Sequence, residues 1–413
     1  MVQENSLRIV KAYRLKHIHD VSQFITDYLN ILRYAIWIIW NNISWKNDKP
    51  ILPSTRNFKR KLRSELKSKW CYASHYVDSA IKQAYSIMKS WRKRYIKGKA
   101  EKKTPVIKRR FVRIKNTLFT YNEGVIKITI KPYEEYLVID LSPIIDIISR
   151  DLSKNPCKSD IGELILKDNE VVITIRKNFT RRKVRGFIAW DVNLRTLDGL
   201  KVDLENNTAE WIRFDISYLH HVHRVYEIKR RKIQKKLHRK QRLMRRLLRK
   251  YSRRESNRVN DYLHKLTSFI VREFNEYDHV FEDLTYIKDR IASTWSKRVN
   301  RVNAKHDYRK VQKMVEYKAL WIGCKVYYVK PHYTSRICPK CGFKVKTRMG
   351  QVFKCPKCGF EADRQFVAVW NITMKYLQMW GIRGLPESSQ RVMTSQTLCW
   401  EKGKLNKSHN KIS

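Results

Sequence analysis

The chain has 413 residues, room for roughly two to four domains, and its 42% hydrophobic content fits a folded protein rather than a disordered one. Its 89 Lys and Arg against 38 Asp and Glu give a formal net charge of +51. That imbalance calls for a polyanionic partner and excludes a thermophile-style balanced surface, because the acids do not keep pace with the bases.

The first predicted element is a strand from Ser6 to Lys16. A helix follows from about Val21 to Trp40, with Phe24, Tyr28, Ile31, Ala35 and Ile38 on one face at helical spacing. A densely basic stretch, Arg56 to Lys69, leads to a second helix from about Cys71 to Tyr95, its inner face made by Ala73, Val77, Ala80, Ala84, Ile87 and Trp91. The tryptophans here read as core rather than as base-stacking platforms. From Lys97 to Arg185 short β-branched and aromatic runs (FVRIK, TLFTY, GVIKITIK, EYLVIDL, EVVITIRK) are separated by turn residues, a pattern that predicts a small antiparallel barrel or sandwich.

At Gly186 the pattern changes to apolar strands that end in carboxylates. GFIAWDVN ends at Asp191, DHVFEDL ends at Glu282 and Asp283, and CKVYYVKPHYTS runs on toward the cysteines. Strands alternating with helices predict a mixed α/β layer. Between the first two lies His221–Asn260, with 17 Lys and Arg and only Glu227 and Glu255 as acids. Tyr226, Ile233, Leu237, Met244 and Leu248 form a seam on a long helix or helical hairpin, closed by a further helix from about Val259 to Phe274. The rest of that surface, including Arg242, Arg245, Arg246, Arg249, Lys250 and Arg253, is a nucleic-acid-binding stripe at phosphate reach.

Two CPKCGF boxes, Cys338/Cys341 and Cys355/Cys358, are separated by thirteen residues, enough for a hairpin. Four thiolates on two knuckles are the tetrahedral sulfur set that Zn²⁺ prefers, and a closed set of four is structural rather than catalytic. Cys71, Cys157, Cys324 and Cys399 read as ordinary thiols. Zinc thiolates need a reducing compartment, no signal peptide opens the sequence, and the longest apolar run, Ala35 to Trp40, is too short for a bilayer. An intracellular, cytoplasmic protein without membrane contact is expected. The tail beyond about Leu385 lacks periodicity, and Lys402 to Ser413 is expected to be disordered.

Acids at strand ends are scarce in so basic a chain. Asp191 and Glu282, joined by Asp363 at the mouth of a helix beginning near Phe366, would repel one another unless cations intervene. Mg²⁺ or Mn²⁺ suits such oxygen ligands, and two metals about 4 Å apart promote phosphodiester cleavage. For any single one of these carboxylates a strand-end or cap role is the simpler alternative.

WDVN at 190–193, FEDL at 281–284, YTSRICPKCG at 333–342 and FKCPKCGFEADR…AVWNI at 353–372 resemble the TnpB/OrfB proteins of insertion sequences. The resemblance covers roughly 186–378 with specific motifs and extends loosely upstream. It implies a multidomain α+β chain whose RuvC-like, RNase H-like α/β domain carries the long basic hairpin and is split by a zinc ribbon, as in type V CRISPR effectors. It implies a barrel (wedge-like) domain at 1–20 and 97–185, a helical nucleic-acid-binding insert at 21–96, the nuclease domain at 186–332 and 363–384, the zinc ribbon at 333–362 and a flexible tail at 385–413. It further implies a Mg²⁺-dependent DNA endonuclease of a prokaryotic or viral mobile element, guided by RNA from the element's own end. Asp191 matches the first RuvC carboxylate and Glu282 the second.

The third position departs from the family. Where D-R-D is usual, Asp363-Arg364-Gln365 stands, so an uncharged amide takes the place of the ligand carboxylate unless Asp363 shifts in to serve. Asn193 also stands where many members carry Gly. The alternative is therefore a nuclease-deficient RNA-guided DNA-binding protein or repressor. A third reading is a zinc-ribbon transcription or RNA-processing factor without RuvC chemistry.

Overall fold

The computed structural model describes residues 7–285, 308–346, 350–381, 393–401 and 404–408, the last two segments by their backbone only. The chain divides into two compact units, Met1–Asn178 and Phe179–Ser413.

In the first unit the expected opening strand is β1 (Arg8–Lys16). The apolar face predicted for the first helix buries all five of its residues in α1 (Ser22–Asn41). A short hairpin, β2 (Ser44–Lys46) and β3 (Lys49–Ile51), leads to α2 (Arg56–Ser68), so the basic stretch is itself a helix, capped by Thr55 and anchored by buried Leu62 and Leu66. The next helix, α3 (His75–Ile96), starts four residues later than expected. Trp91 packs edge-on against Trp40 at 4.9 Å and is buried, while Trp37 is exposed and stacks on Tyr34 at 5.7 Å. The core reading of the tryptophans therefore holds for Trp91 and fails for Trp37.

The barrel expectation is corrected. β4 (Val112–Ile114), β5 (Phe119–Asn122), β6 (Val125–Lys131), β7 (Glu135–Asp140), β8 (Ile161–Leu166) and β9 (Glu170–Asn178) pair into two separate antiparallel sheets, β1-β9-β8-β4 and β5-β6-β7. The chain leaves the first sheet after β4 through a turn at Asn116–Leu118 and returns to it through α4 (Ser142–Leu152), an unforeseen helix with Pro143 in its first turn that buries Ile148 and Leu152. Among the described residues no barrel closes.

The second unit holds one mixed sheet. β10 (Gly186–Val192), β11 (Thr196–Asp203) and β12 (Thr208–Asp215) form an antiparallel meander. A helical hairpin follows, α5 (Ser217–Lys236) and α6 (Gln241–Glu273), then β13 (Tyr277–Glu282), which pairs parallel to β10. After α7 (Tyr308–Ile322), β14 (Val326–Val329) adds in parallel to β13. The cysteine region contributes the small hairpin β15 (Val352–Lys354) and β16 (Glu361–Asp363), and α8 (Arg364–Met379) follows directly. The hairpin's second helix starts at Gln241, not Val259, and the chain reverses at residues 237–240. Leu237 thus sits at the turn rather than within a continuous seam.

Pleat alternation splits the sheet's two faces. Ile188, Trp190 and Phe281 pack with α5, α6 and α7; Phe187, Ala189, Leu200 and Val280 pack with Val369, Ile372 and Tyr376 of α8. Within the span expected to be a flexible tail, β17 (Met393–Glu401) pairs parallel to the edge strand β12, and β18 (Lys404–Ser408) pairs antiparallel to β17. An edge strand offers unpaired backbone groups, and a segment needs no apolar period to use them. The remaining tail positions, 385–392, 402–403 and 409–413, lie outside the described residues. No helix among the described residues is long and apolar enough to cross a membrane.

Candidate functional site

The two CPKCGF boxes fold into matching knuckles. Gly342 N–H donates to the Cys338 carbonyl and Gly359 N–H to the Cys355 carbonyl, each at 3.0 Å. Both glycines have φ near +70°, a left-handed conformation that costs a side-chain-bearing residue energy. The knuckles face each other with all four sulfurs within 4.8 Å, Cys338 to Cys358 at 3.6 Å and Cys341 to Cys355 at 3.5 Å. A tetrahedron with Zn–S bonds of about 2.3 Å separates its sulfurs by about 3.8 Å, so the four could hold one zinc ion. Burial opposes the Cys355 thiolate, but N–H groups of Cys358 and Lys357 bring its pKa down to about 7. Phe353 and Val367 close a small core beneath the sulfurs.

The strand-end carboxylates fall on one face of the sheet. Asp191 is the sixth residue of β10, and Glu282 ends the neighbouring parallel strand β13, one step beyond the pair Trp190–Phe281. Asp191 keeps some exposed area, yet its carboxyl is densely surrounded by protein. That desolvation pushes its pKa up to about 8, with the Glu282 charge as the second cause. Asn193 Nδ2 donates to Asp191 at 2.9 Å, Thr334 Oγ1 donates to Glu282, and Gln312 Nε2 holds the Glu282 carbonyl at 2.8 Å. A mutually repelling pair of carboxylates fits a divalent cation.

Asp363 is placed differently. It caps α8, one oxygen accepting the Gln365 N–H at 2.7 Å and the other accepting from Arg213 at 3.0 Å. Arg213 Nε also donates to Asp198 at 2.6 Å. Asp198 is fully buried and sits directly opposite Asp191 across β10–β11. Burial raises the Asp198 pKa and Arg213 offsets this; burial lowers the Arg213 pKa and the two acids more than restore it. Sequence reading missed both Asp198 and Arg213. The available signal was the tight hairpin after WDVN, which sets two like charges face to face and so demands a compensating cation.

On the basic hairpin, Arg242, Arg245, Arg246, Arg249, Lys250 and Arg253 are all exposed. The two acids within His221–Asn260 are spent internally. Glu227 pairs with Arg231 at 2.7 Å, and buried Glu255 takes His223 at 2.8 Å and Arg230. Glu255 pins α5 to α6, and the stripe keeps its positive charge.

The chain is 38% identical over 368 residues to the TnpB-like protein MJ1635 of Methanocaldococcus jannaschii, a match spanning 88% of this chain and 84% of that protein. It belongs to the TnpB-like protein family. A second relative from the same organism, TnpB-like protein MJ0751, is 34% identical over 234 residues, 55% of this chain and 82% of the relative. The Cas12f1-like TNB domain matches residues 308–372, the segment that carries the four cysteines, and the uncharacterized protein MJ0013 family matches residues 24–129. Among solved structures, a cryo-EM structure of the Cas12f1–sgRNA–target DNA complex matches this TnpB-like chain with a TM-score of 0.51 at 17% identity, covering 85% of this chain and 80% of that one. The mixed α/β, multidomain fold is thus shared with that effector.

Proposed function

We propose that this TnpB-like chain is an RNA-guided DNA endonuclease of a mobile element, with its reaction centre at Asp191 and Glu282. The observation that carries the reading is the placement of these two carboxylates at adjacent parallel strand ends, close enough for each charge to oppose the other. In this reading residues 186–332 and 363–384 form a RuvC-like nuclease domain, 333–362 a zinc ribbon that braces α8, and the upstream segments the nucleic-acid-binding parts. A divalent Mg²⁺ or Mn²⁺ held by the two acids would supply Lewis-acid stabilisation of the phosphodiester. The chain's own residues do the positioning. Asn193 orients Asp191, Thr334 orients Glu282, and the exposed arginines of the hairpin hold the phosphate backbone. Support for guide RNA and target DNA comes from the related effector, whose solved form contains both.

A second reading, a binder that finds DNA but does not cut it, is favoured by one specific observation. Gln365 carries no charge and Asp363 is already engaged by Arg213. The deciding experiment is to purify the chain from cells, sequence the RNA that co-purifies, and assay Mg²⁺-dependent cleavage of DNA complementary to it. Cleavage by wild type that Asp191→Ala abolishes, with binding intact, supports the nuclease. Binding without cleavage supports the second reading, and absence of bound RNA overturns both.

A further inference from the structure

Sheet register lays a row of charge across four strands. Asp191 on β10 faces Asp198 on β11, and Asp198 faces Arg213 on β12. On the other side of β10, Glu282 comes one step past the last pairing with β13. All four side chains lie on the face covered by α8, because Ala189, Leu200, Trp211 and Val280, two residues from each, pack there. Asp363 reaches the same row from the α8 N-terminus through Arg213.

The two ends of this row differ in what they can accept. At the Glu282–Asp191 end, two carboxylates oppose each other's charge; Asn193 and Thr334 donate to them as neutral groups, and Arg364 near Asp191 and Lys375 near Glu282 add positive charge without the fixed two-carboxylate pairing of Arg213. At the Asp198 end, one guanidinium already serves two carboxylates and packs on the Trp211 ring at 4.6 Å. Asp363 has one oxygen on its helix cap and the other on Arg213. For Asp363 to turn onto a metal it must leave the half-buried Arg213 with one partner and give up the cap. A second divalent ion near Arg213 would meet a fixed like charge, and in the partly desolvated row that repulsion is weakly screened. Gln365 brings no charge to offset it.

We propose that Asp363 is a strut rather than a metal ligand, and that the site takes a single divalent cation, held by Asp191 and Glu282, with Arg213 as the permanent cation of the remaining row. The residues present fit one metal ion and do not fit the two-metal pair expected for a RuvC-like site. This inference rests on the nuclease reading for its cation and differs from it in the count. Charge balance agrees. Asp198, Arg213 and Asp363 together keep one negative charge, Asp191 with Glu282 carry two, and Arg364 near Asp191 and Lys375 near Glu282 further lessen what bound cations must balance. Asp363 and Arg213 are then positioning residues, fixing the α8 N-terminus over the sheet.

Mn²⁺ titration of the full chain, read by electron paramagnetic resonance of free and bound ion, tests the count. The Asp191→Asn/Glu282→Gln double variant serves as the blank for ions on co-purified RNA. The expected difference is one Mn²⁺ per chain with the spectrum of an isolated ion. Asp363→Asn, which retains a capping side chain, should leave that count at one and the affinity within about threefold. Arg213→Gln should admit a second Mn²⁺, and Arg213→Lys should not. Two spin-coupled Mn²⁺ in wild type, or loss of the ion in Asp363→Asn, overturns the inference and leaves the nuclease reading standing. Wild type equal to the blank overturns both. If Arg213→Gln fails to fold by circular dichroism, the wild-type count and Asp363→Asn decide alone.

Discussion

His279 shows how much a single buried residue can impose on this chain. It is the third residue of β13, fully buried, and its Nδ1 accepts a hydrogen bond from Trp190 Nε1 at 3.0 Å. Nε2 therefore carries the ring's proton, and it has no hydrogen-bond partner among the described residues. Burial holds the pKa down at about 4, with Asp278 opposing only in part. The unfolded chain takes up this proton near pH 6.5 and the folded chain not until about 4. Between those values the unfolded state binds more protons, so stability falls as pH falls. Acidification from pH 7 to 5 should cost on the order of 2 kcal/mol through this residue. His279→Gln, which keeps an acceptor for Trp190, should flatten that slope in denaturant titrations of the intact chain. Equal slopes in both proteins would remove His279 as the cause. At this same scale the sequence exposed Asp191, Glu282 and the four cysteines, because each follows a recognisable run or box. It hid Asp198 and Arg213, because their meaning lies in cross-strand register, which a one-residue slip would have reversed.

Among the elements, the basic hairpin carries the clearest charge argument. Its apolar seam and Glu255 hold α5 on α6, and Glu227 is paired within α5 with Arg231, so neither acid compensates the exposed arginines of the stripe. Replacing Arg242, Arg245, Arg246 and Arg249 with Gln should leave the hairpin folded, since none of them lies in its core. It should weaken RNA and DNA binding about equally across sequences. The slope of log K against log salt should flatten by up to about 0.9 for each duplex phosphate that the variant no longer neutralises. An unchanged slope would show that the stripe faces away from nucleic acid. Helix and strand types were legible here wherever the apolar period was long, as in α1, β10 and β13. They were not where a short segment carried mixed signals. SPIIDIISRDL reads equally as a strand-rich run, yet Pro143 at its first turn and buried Ile148 and Leu152 make it α4. That helix carries the chain from β7 in one sheet to β8 in the other.

For the whole molecule, removal of a zinc ion held by the four cysteines should affect the two units differently. The first has its own aromatic and aliphatic core, with Ile25, Leu29, Leu32 and Trp91 buried in it, and all four cysteines of the cluster belong to the second. In the second, the knuckles are wired into the sheet. Asn371 of α8 donates to the carbonyls of Thr334 at 2.7 Å and Ile337 at 2.8 Å, and Thr334 in turn donates to Glu282. Val367 of α8 completes the core under the sulfurs. Loosening the knuckles therefore frees the α8 N-terminus, then Thr334, then the orientation of Glu282. Elemental analysis should find about one zinc per chain, and Cys355→Ser or a strong chelator should lower it. Thermal unfolding should then split, with the transition of Phe179–Ser413 moving down by several degrees and that of Met1–Asn178 staying in place. Hydrogen exchange read by mass spectrometry distinguishes them, because peptides from 1–178 and from 179–413 report separately. A uniform shift of both transitions, or none after zinc is removed, would show that the cysteines do not support the second unit through metal.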